Sequence, residues 1–371
     1  MPQDNDATSS GFPVPRSFAP SSLAAAWRRL WREEWLFFAL VMAYAASGYA
    51  ADFGGYVPGM MRARWSTPTD LILPVLAAWV VFGHGLRWRW RLRDANGGPL
   101  GASLAWRRAW REVRRTVLTP DRILRVVAIY GAVRLLLDTY TRWKGAIPTL
   151  HPFAWDGRLS DWDVRLHFGQ APWAWLHPML GHPTATRVLD ALYWMWVPTV
   201  MLVVLWLAWN DRAALRAQFL LTFALAWIVL GTLMAAMMSS GGPCYFARIT
   251  GAPGPYAGLM AYLNTVHTHS PLGAVAGQEW LWGIYTAHES RLYAGISAMP
   301  SMHVAMPVLY TLMAARLDRR LGFACGAFAC LILVAAVHLG WHYAIDGYVS
   351  ALALWGLWAA SGRLMMRSSR A

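Results

Sequence analysis

The most constraining feature of the sequence is a series of apolar stretches, each long enough to cross a lipid bilayer. A transmembrane helix needs about 20 mostly apolar residues to cross about 30 Å of hydrocarbon. The chain of 371 residues is 57% hydrophobic and only 14% charged, whereas soluble domains are about a quarter charged. We therefore predict an all-α integral membrane protein with about eight transmembrane helices. The predicted spans cover residues 35–53, 69–86, 123–140, 188–209, 217–238, 294–314, 322–340 and 343–362.

The basic residues indicate the orientation of these spans. The net charge of +14 comes almost entirely from arginines between the apolar stretches, which favours anionic lipid head groups over nucleic acid as partners. With a cytoplasmic N-terminus, 22 basic residues fall in inner segments and 9 in outer segments. Because basic residues concentrate on the cytoplasmic side, we predict a multi-pass cell-membrane protein with both termini in the cytoplasm, lipid substrates and no nucleic-acid partner.

The same pattern divides the chain into four segments. Residues 1–22 are polar and rich in Pro and Ser, which predicts a disordered tail. Residues 23–122 hold two N-terminal spans and, from Gly101 to Val117, a cytoplasmic Arg/Trp amphipathic helix. Residues 123–362 form the predicted six-helix catalytic core, and residues 363–371 a basic cytoplasmic tail. The three cysteines do not make a disulfide framework.

The tetrapeptide PSMH at residues 300–303 opens the sixth predicted span. Pro300 suits the first turn of a helix, where no backbone N–H is needed. Ser301 and the following residues would then present backbone N–H groups at a helix N-terminus, which attract phosphate-like anions. His303 would lie beside this anion site. A capping serine with an interfacial histidine is the alternative interpretation of the tetrapeptide.

A second chemical motif, HLGWHYAIDGYVS, joins the seventh and eighth predicted spans. His338, His342 and Asp346 are spaced i, i+4, i+8, which places them on one face if the segment is helical. An aspartate that accepts the Nδ1 proton of a histidine leaves Nε2 free as a nucleophile or base. A structural His–Asp pair and a zinc site are the alternatives. Because the His-Glu-x-x-His pattern of many zinc enzymes is absent, we predict no metal and no other cofactor.

In order, spacing and membrane placement, the two motifs resemble the type 2 phosphatidic acid phosphatase superfamily, whose second motif reads Pro-Ser-Gly-His and whose third ends in His-x-x-x-Asp. Met302 and Ala336 stand where the superfamily has a glycine and an arginine. Both departures resemble the branch of inositol phosphorylceramide synthases, which are inositolphosphotransferases. The segment from Ile147 to Trp173 also resembles a loop of this branch. The likeness covers residues 123–362.

The resemblance implies a mechanism and a function. It implies that His342 attacks phosphorus and forms a phosphohistidine, that Asp346 orients His342, and that His303 protonates the leaving oxygen. The expected activity is transfer of a phosphorylated head group, with phosphoinositol as the candidate, between lipids at the outer face. A lipid phosphatase that uses water as acceptor is the alternative within this mechanism. A proton-coupled transporter is a remote alternative, because the paired broken helices of such proteins are not found.

The superfamily's first motif, a lysine followed by Arg-Pro, has no counterpart at the end of the fifth span, which reads MMSSGGPCYFARITG. Another group must therefore balance the phosphate charge. Lys144 lies two spans too early for the motif, so we assign it no role. Glycine amides can approach an anion closely. The predicted substrate-binding residues are Arg248, Ser301, Gly241, Gly242 and Tyr245.

Two further groups of charged residues allow alternative interpretations. Arg134 and Asp138 are spaced i, i+4 in the third span, where they form either a neutralising ion pair or part of a head-group cavity. Three aspartates beside tryptophans follow that span, and they predict either an interfacial amphipathic helix or carboxylates that bind a polyol head group. These aspartates are Asp156, Asp161 and Asp163.

Overall fold

A computed structural model describes residues 23–51, 102–288 and 294–368, with the isolated positions 82 and 86. These residues form helices, turns and loops without a strand, as the all-α prediction requires. The α-helices of four or more residues are α1 (Leu23–Ala50), α2 (Ala102–Thr116), α3 (Pro120–Leu150), α4 (Asp156–Leu166), α5 (Pro172–Leu180), α6 (Pro183–Trp194), α7 (Trp196–Trp209), α8 (Ala213–Leu225), α9 (Phe246–Thr250), α10 (Ala257–His269), α11 (Gly273–Thr286), α12 (Met302–Ala315), α13 (Arg319–His338) and α14 (Ala344–Ser368).

Four helical stretches within the described residues are long and apolar enough to cross a membrane. They correspond to the fourth, fifth, seventh and eighth predicted spans, so the prediction of a membrane protein is confirmed. The count of eight spans is not confirmed. In the region of the sixth predicted span, for example, the helix α12 has only 14 residues. The four stretches are Pro183–Trp209, Ala213–Met237, Arg319–His338 and Ala344–Met366.

The first and third predicted spans lie in helices, whereas the second lies almost entirely outside the described residues. Residues 35–53 lie largely in α1, and residues 123–140 lie within the 31-residue helix α3. The second predicted span at 69–86 lies outside the described residues apart from positions 82 and 86, as does the whole tail at 1–22. The division of the chain into four segments therefore stays a prediction.

One end of the bundle carries a set of ion pairs, near the starts of α1, α3 and α8. The guanidinium of Arg216 is fully buried and donates to Glu34 at 2.7 Å and to Glu33 at 2.6 Å. Arg125 on α3 pairs with Asp211 at 3.0 Å. Such paired charges can be buried because each neutralises the other. Farther along the chain from these ion pairs, Tyr140 of α3 and Gly231, which follows α8, lie beside Met302 of the PSMH motif.

The predicted amphipathic helix at Gly101–Val117 is observed as α2 (Ala102–Thr116), but its buried face agrees only in part with the expected one. Ala105, Ala109 and Val113 are buried along one stripe. The near-helical spacing of apolar residues predicts a packed face that includes Leu104, Trp110, Val113 and Val117. Val113 and Val117 are buried, whereas Leu104 and Trp110 are 42% and 48% exposed. Small residues therefore line the packed side of α2, and the larger apolar side chains project outward between the arginines.

Helix α8 continues into a π-helical segment, Ala226–Met234, against which α3 and the start of α12 both pack. Gly231 lies in this segment. A Cβ atom at Gly231 would be 2.8 Å from the ring of Tyr140 on α3 and 3.5 Å from the sulfur of Met302 on α12. The absence of a side chain at this glycine therefore lets α3 approach the start of α12. This contact connects α3 with the PSMH motif.

Candidate active site

The two chemical motifs meet in the folded chain. Nε2 of His342 lies 3.2 Å from Nδ1 of His303, although the two residues are 39 positions apart. Their ring centroids are 5.3 Å apart. His303 projects from the first turn of α12, and His342 lies in the turn between α13 and α14. The sequence prediction that these histidines belong to one site agrees with this geometry.

Asp346 lies behind His342 on the side away from His303. Its Oδ2 is 3.3 Å from Nδ1 of His342 and also accepts a hydrogen bond from the backbone N–H of Tyr343 at 3.1 Å. The carboxylate of Asp346 is fully buried. In the tautomer that carries its proton on Nδ1, His342 donates to Asp346 and directs the lone pair of Nε2 toward His303. It is the division of roles found in a His–Asp pair that performs nucleophilic or base chemistry.

His342 is held in its neutral form. Burial lowers the pKa of this histidine to about 3, and the nearby positive charge of Lys144 acts in the same direction. At neutral pH the imidazole therefore carries no net charge. Because only a neutral imidazole has a free lone pair, His342 meets the first requirement for a nitrogen nucleophile.

The prediction that His338, His342 and Asp346 share one helical face is wrong. Helix α13 ends at His338 and α14 begins at Ala344. Gly340 adopts a φ of +73°, a left-handed conformation that glycine tolerates at a helix end. His338 instead lies 2.9 Å from the hydroxyl of Thr186 on α6. The spacing i, i+4 between His342 and Asp346 thus brings them together across a tight turn, not along a helix.

Ser301 caps α12 and is fully buried. Its hydroxyl accepts the backbone N–H of Val304 at 3.4 Å, and its own N–H donates to the carbonyl of Asp346 at 3.4 Å. Pro300 precedes this cap, so it does not occupy the first helical turn as the sequence predicted. Ser301 therefore joins the two motifs through its backbone, and its side chain is engaged by the helix rather than open to substrate.

The two glycines predicted to bind phosphate have a different partner. The backbone N–H groups of Gly241 and Gly242 donate to the carboxylate of Asp156, at 2.9 Å and 2.8 Å. Asp156 also accepts the hydroxyl of Tyr343 at 2.8 Å. The hydroxyl of Tyr245, another predicted binding group, donates to the carbonyl of Gln278 at 2.8 Å. These groups are satisfied within the protein, so their geometry does not support the predicted contact with phosphate.

Two aspartates of α4 hold the loops around the histidines. Asp156 and Asp163 are each only 1% exposed, and both project into the protein from one side of α4. The carboxylate of Asp163 accepts the backbone N–H groups of Ala344 and Ile345, both at 3.0 Å, at the start of α14. Burial raises the pKa of both carboxyl groups, and these hydrogen bonds oppose the rise. For these two residues, neither the exposed interfacial helix nor the polyol site is observed.

Replacing Asp163 by Ala is expected to loosen the start of α14 and with it the position of Asp346. Loss of such a cap costs about 0.5–2 kcal/mol, so both the melting temperature and kcat should fall. The Asp163→Asn variant retains one acceptor oxygen and should lose less. Thermal unfolding in detergent and turnover are to be compared with Arg165→Ala, which removes an exposed side chain from the same helix. Equal behaviour of Asp163→Ala and Arg165→Ala would contradict this role.

The remaining predicted groups lie in ordinary ion pairs. Arg248 donates to Glu279 at 2.5 Å, and its guanidinium lies 5.3 Å from the ring centroid of Trp282. Arg134 and Asp138 are 3.8 Å apart along α3. Among the described residues, no group of three His, Cys, Asp or Glu side chains is placed to hold a metal ion.

His303 is surrounded by aromatic side chains. The ring of Trp196 lies 4.4 Å from the ring of His303, and the ring of Tyr193 stacks on it at 4.9 Å. This aromatic wall comes from the junction of α6 and α7. It fixes the plane of the imidazole and gives the site an apolar side.

Comparison with protein families agrees with this geometry. A family model described as the PAP2 superfamily matches residues 157–360. The match covers more than half of the chain, including both histidines and Asp346.

The chain belongs to the PAP2 superfamily.

Members of the PAP2 superfamily are generally phosphatases or phosphotransferases, so the membership indicates an enzyme that acts on phosphoesters. No curated protein and no solved structure matches the chain. The match of the family model confirms the superfamily resemblance expected from the two motifs. The branch within the superfamily is a separate question.

Proposed function

We propose that the protein is a membrane lipid phosphotransferase that moves a phosphorylated head group between lipids through a phosphohistidine at His342. The observation that carries the proposal is the linear arrangement of three groups. Asp346 contacts Nδ1 of His342, and Nε2 of His342 faces His303. A nucleophile, the group that orients it and an acid–base group are thereby assembled in one place.

The chemistry proceeds in two steps. In the first, Nε2 of His342 forms a bond to phosphorus, the bond from phosphorus to the leaving oxygen breaks, and His303 gives a proton to that oxygen. In the second, His303 takes a proton from the acceptor hydroxyl, the acceptor oxygen bonds to phosphorus, and the bond from phosphorus to His342 breaks. Asp346 stabilises the positive charge on His342 throughout. The scheme requires a neutral His342 and a His303 that carries its extra proton once the substrate is bound, when the negative charge of the phosphoryl group favours the imidazolium.

In this mechanism the phosphoryl group of the substrate binds between the two histidines. The two histidine nitrogens are 3.2 Å apart, a hydrogen-bonding distance that leaves no room for phosphorus between them. A phosphoryl group must therefore replace this direct contact and separate the two rings. The direct contact between the two histidines is thereby exchanged for contacts to substrate.

Transfer to a lipid acceptor is favoured over hydrolysis by the surroundings of His303. Trp196 and Tyr193 pack against its ring, and such apolar walls reduce the access of water to a reactive phosphohistidine. Met302 and Ala336, the two departures that resemble the inositol phosphorylceramide synthases, support a transferase with phosphoinositol as the candidate head group. A lipid phosphatase that uses water is the alternative outcome.

The experiment that distinguishes these activities is lipid mass spectrometry of cells with and without the protein. A new lipid that carries a phosphorylated head group is the expected result. Loss of phosphate from an existing lipid, without a new phosphorylated species, would identify a phosphatase instead. Cells that express His342→Ala are the matched control, and a lipid change that persists in them would not come from the proposed chemistry.

We further propose eight spans, a six-helix core over residues 123–362, cytoplasmic termini and a site at the outer face. The arginine distribution supports this orientation. The ion pairs of Arg216 and Arg125 at the end of the bundle opposite the histidines also support it.

A cysteine-labelling experiment tests this topology. After the three native cysteines are replaced by Ala, a membrane-impermeant maleimide added to intact cells should label Gln170→Cys and leave Ser103→Cys unlabelled. Both side chains are exposed, so membrane sidedness rather than burial decides the result. Permeabilised cells should show both labels. Labelling of Ser103→Cys alone in intact cells would place the histidines at the cytoplasmic face.

A further inference from the structure

The proposed reaction requires a positive charge that the site described so far does not supply. A phosphoryl group carries negative charge on its non-bridging oxygens, and phosphoryl transfer relies on cations that stabilise this charge. His342 is neutral, and the backbone amides of Gly241 and Gly242 already donate to Asp156. Arg248 is engaged by Glu279. The positive charge that balances the phosphoryl oxygens must therefore come from another helix.

Lys144 is the single lysine of the chain and lies near the end of α3. Its ammonium nitrogen is 6.0 Å from the ring centroid of Tyr140, at the outer limit of a cation–π contact. Among the described residues, the ammonium forms no hydrogen bond and no ion pair. By contrast, Arg142 on the same helix lies over the ring of Tyr49 at 4.8 Å. A half-buried cation without an anionic partner is costly, which points to a ligand as its missing counterion.

Contacts on one side connect Lys144 with His303. Tyr140, one helical turn before Lys144, packs against Gly231 of the π-helical segment. Met302 packs against the same glycine from the other direction. His303 is the residue that follows Met302, so α3 and the start of α12 are brought together at this point.

Contacts on the other side connect Lys144 with His342. Gly295 has a φ of +111°, and a Cβ atom at this position would be 3.0 Å from the carbonyl carbon of Lys144 and 3.1 Å from its Cγ. Three residues later, Ala298 packs against Gly242, which also contacts the backbone of Trp341, the residue before His342. The charge of Lys144 acts electrostatically on both histidines. No other lysine or arginine among the described residues has this relation to the pair.

We propose that the ammonium of Lys144 binds the non-bridging oxygens of the transferred phosphoryl group, and so supplies the positive charge that the fifth span lacks. This inference rests on the proposed phosphohistidine chemistry. It assigns the binding group to α3, a helix that lies before the family match at residues 157–360. When substrate enters between the histidines, the ammonium gains an anionic partner and the phosphoryl group gains a cation.

Binding of orthovanadate, which resembles phosphate, tests the inference with the whole protein in detergent. Isothermal titration should show that Lys144→Met weakens the affinity for orthovanadate by about 10- to 100-fold, the effect of losing a hydrogen bond to a charged group of about 1.5–3 kcal/mol. Lys144→Arg retains the charge and should recover most of the affinity. Arg187→Met removes an exposed guanidinium that donates to the hydroxyl of Ser270, and the affinity of this variant for orthovanadate should stay within about twofold of wild type.

The outcomes separate the lysine from the mechanism on which it depends. If wild type binds orthovanadate, His342→Ala does not, and Lys144→Met binds as tightly as wild type, the histidine site stands and the role of Lys144 is wrong. A wild-type protein that binds no orthovanadate would overturn the phosphate site and the lysine with it. Thermal unfolding of each variant must match wild type, and failure of Lys144→Arg to bind better than Lys144→Met would also contradict a role for the charge.

Discussion

Replacing His342 by Ala is expected to abolish turnover, with a loss on the order of 10⁴-fold or more. The reason is chemical, because in the proposed mechanism the phosphoryl group is carried on Nε2 of this residue. The imidazole in contact with it among the described residues, His303, is committed to proton transfer. The measurement is transfer of the phosphorylated head group from a short-chain phosphatidylinositol to a lipid acceptor in detergent micelles, together with thermal unfolding to confirm the fold.

His338→Gln provides a matched control for this prediction. His338 is also a buried histidine and lies four positions earlier, but it contacts Thr186 rather than the His342–Asp346 pair. Glutamine can preserve a hydrogen bond to that hydroxyl, so activity should be close to wild type. Residual turnover of the purified His342→Ala protein at a tenth of the wild-type rate would rule out an essential nucleophile at this position. A strong loss of turnover in His338→Gln that added zinc restores would favour the zinc site considered from the sequence.

Replacing Asp346 by Asn is expected to lower kcat by about 10³- to 10⁴-fold while the protein stays folded. The amide keeps the shape of the carboxylate but cannot stabilise positive charge on His342. It can also offer an N–H to Nδ1, which would place the imidazole proton on Nε2 and block the attacking lone pair. The fully buried position of Asp346 strengthens both effects, because water cannot replace the lost charge.

Asp318→Asn, a substitution of a distant carboxylate, is the control for Asp346→Asn. Asp318 caps α13 at the opposite end of the bundle, and Asn is as good a capping residue. Asp318→Asn should therefore retain full turnover. If Asp346→Asn also retained more than about half of the wild-type kcat, the His–Asp pair would be structural, as the alternative interpretation of the sequence proposed.

The sequence was sufficient to predict the central pairing of His303 with His342 and Asp346. The order and spacing of the two motifs resemble those of the superfamily, and the predicted spans put both motifs at the same membrane face. The error lay in the local geometry. A regular i, i+4 spacing predicts a continuous helix, but the left-handed conformation of Gly340 ends α13 and creates a turn. A single glycine in an apolar run does not reveal its φ angle in advance.

The partners of buried backbone groups could not be predicted from sequence. Gly241 and Gly242 were suitable for an anion, and they do bind one, but it is the carboxylate of Asp156, which lies 85 positions before Gly241. Asp156 and Asp163 are seven residues apart and so lie on one side of α4. That spacing was the available sign that both point inward. The tryptophans beside them favoured an interfacial helix instead.

Lys144 was set aside because its place in the chain did not match the order of the superfamily's motifs. Electrostatic binding depends on distance in space rather than on order along the chain. The π-helical segment around Gly231 brings α3 to the start of α12, and no sequence pattern predicted that contact. The position of Lys144 in the fold, rather than its place in the order of the motifs, therefore suggests its role.

The most direct test of the central claim is detection of the covalent intermediate. The protein is mixed with its donor lipid, quenched in alkali to preserve phosphohistidine, digested and mapped by mass spectrometry, with His342→Ala treated in parallel. The account predicts one phosphoryl group on the peptide that contains His342 and none in the variant. A phosphoryl group found on another residue, or an unmodified His342 peptide during active turnover and after a rapid quench, would contradict it.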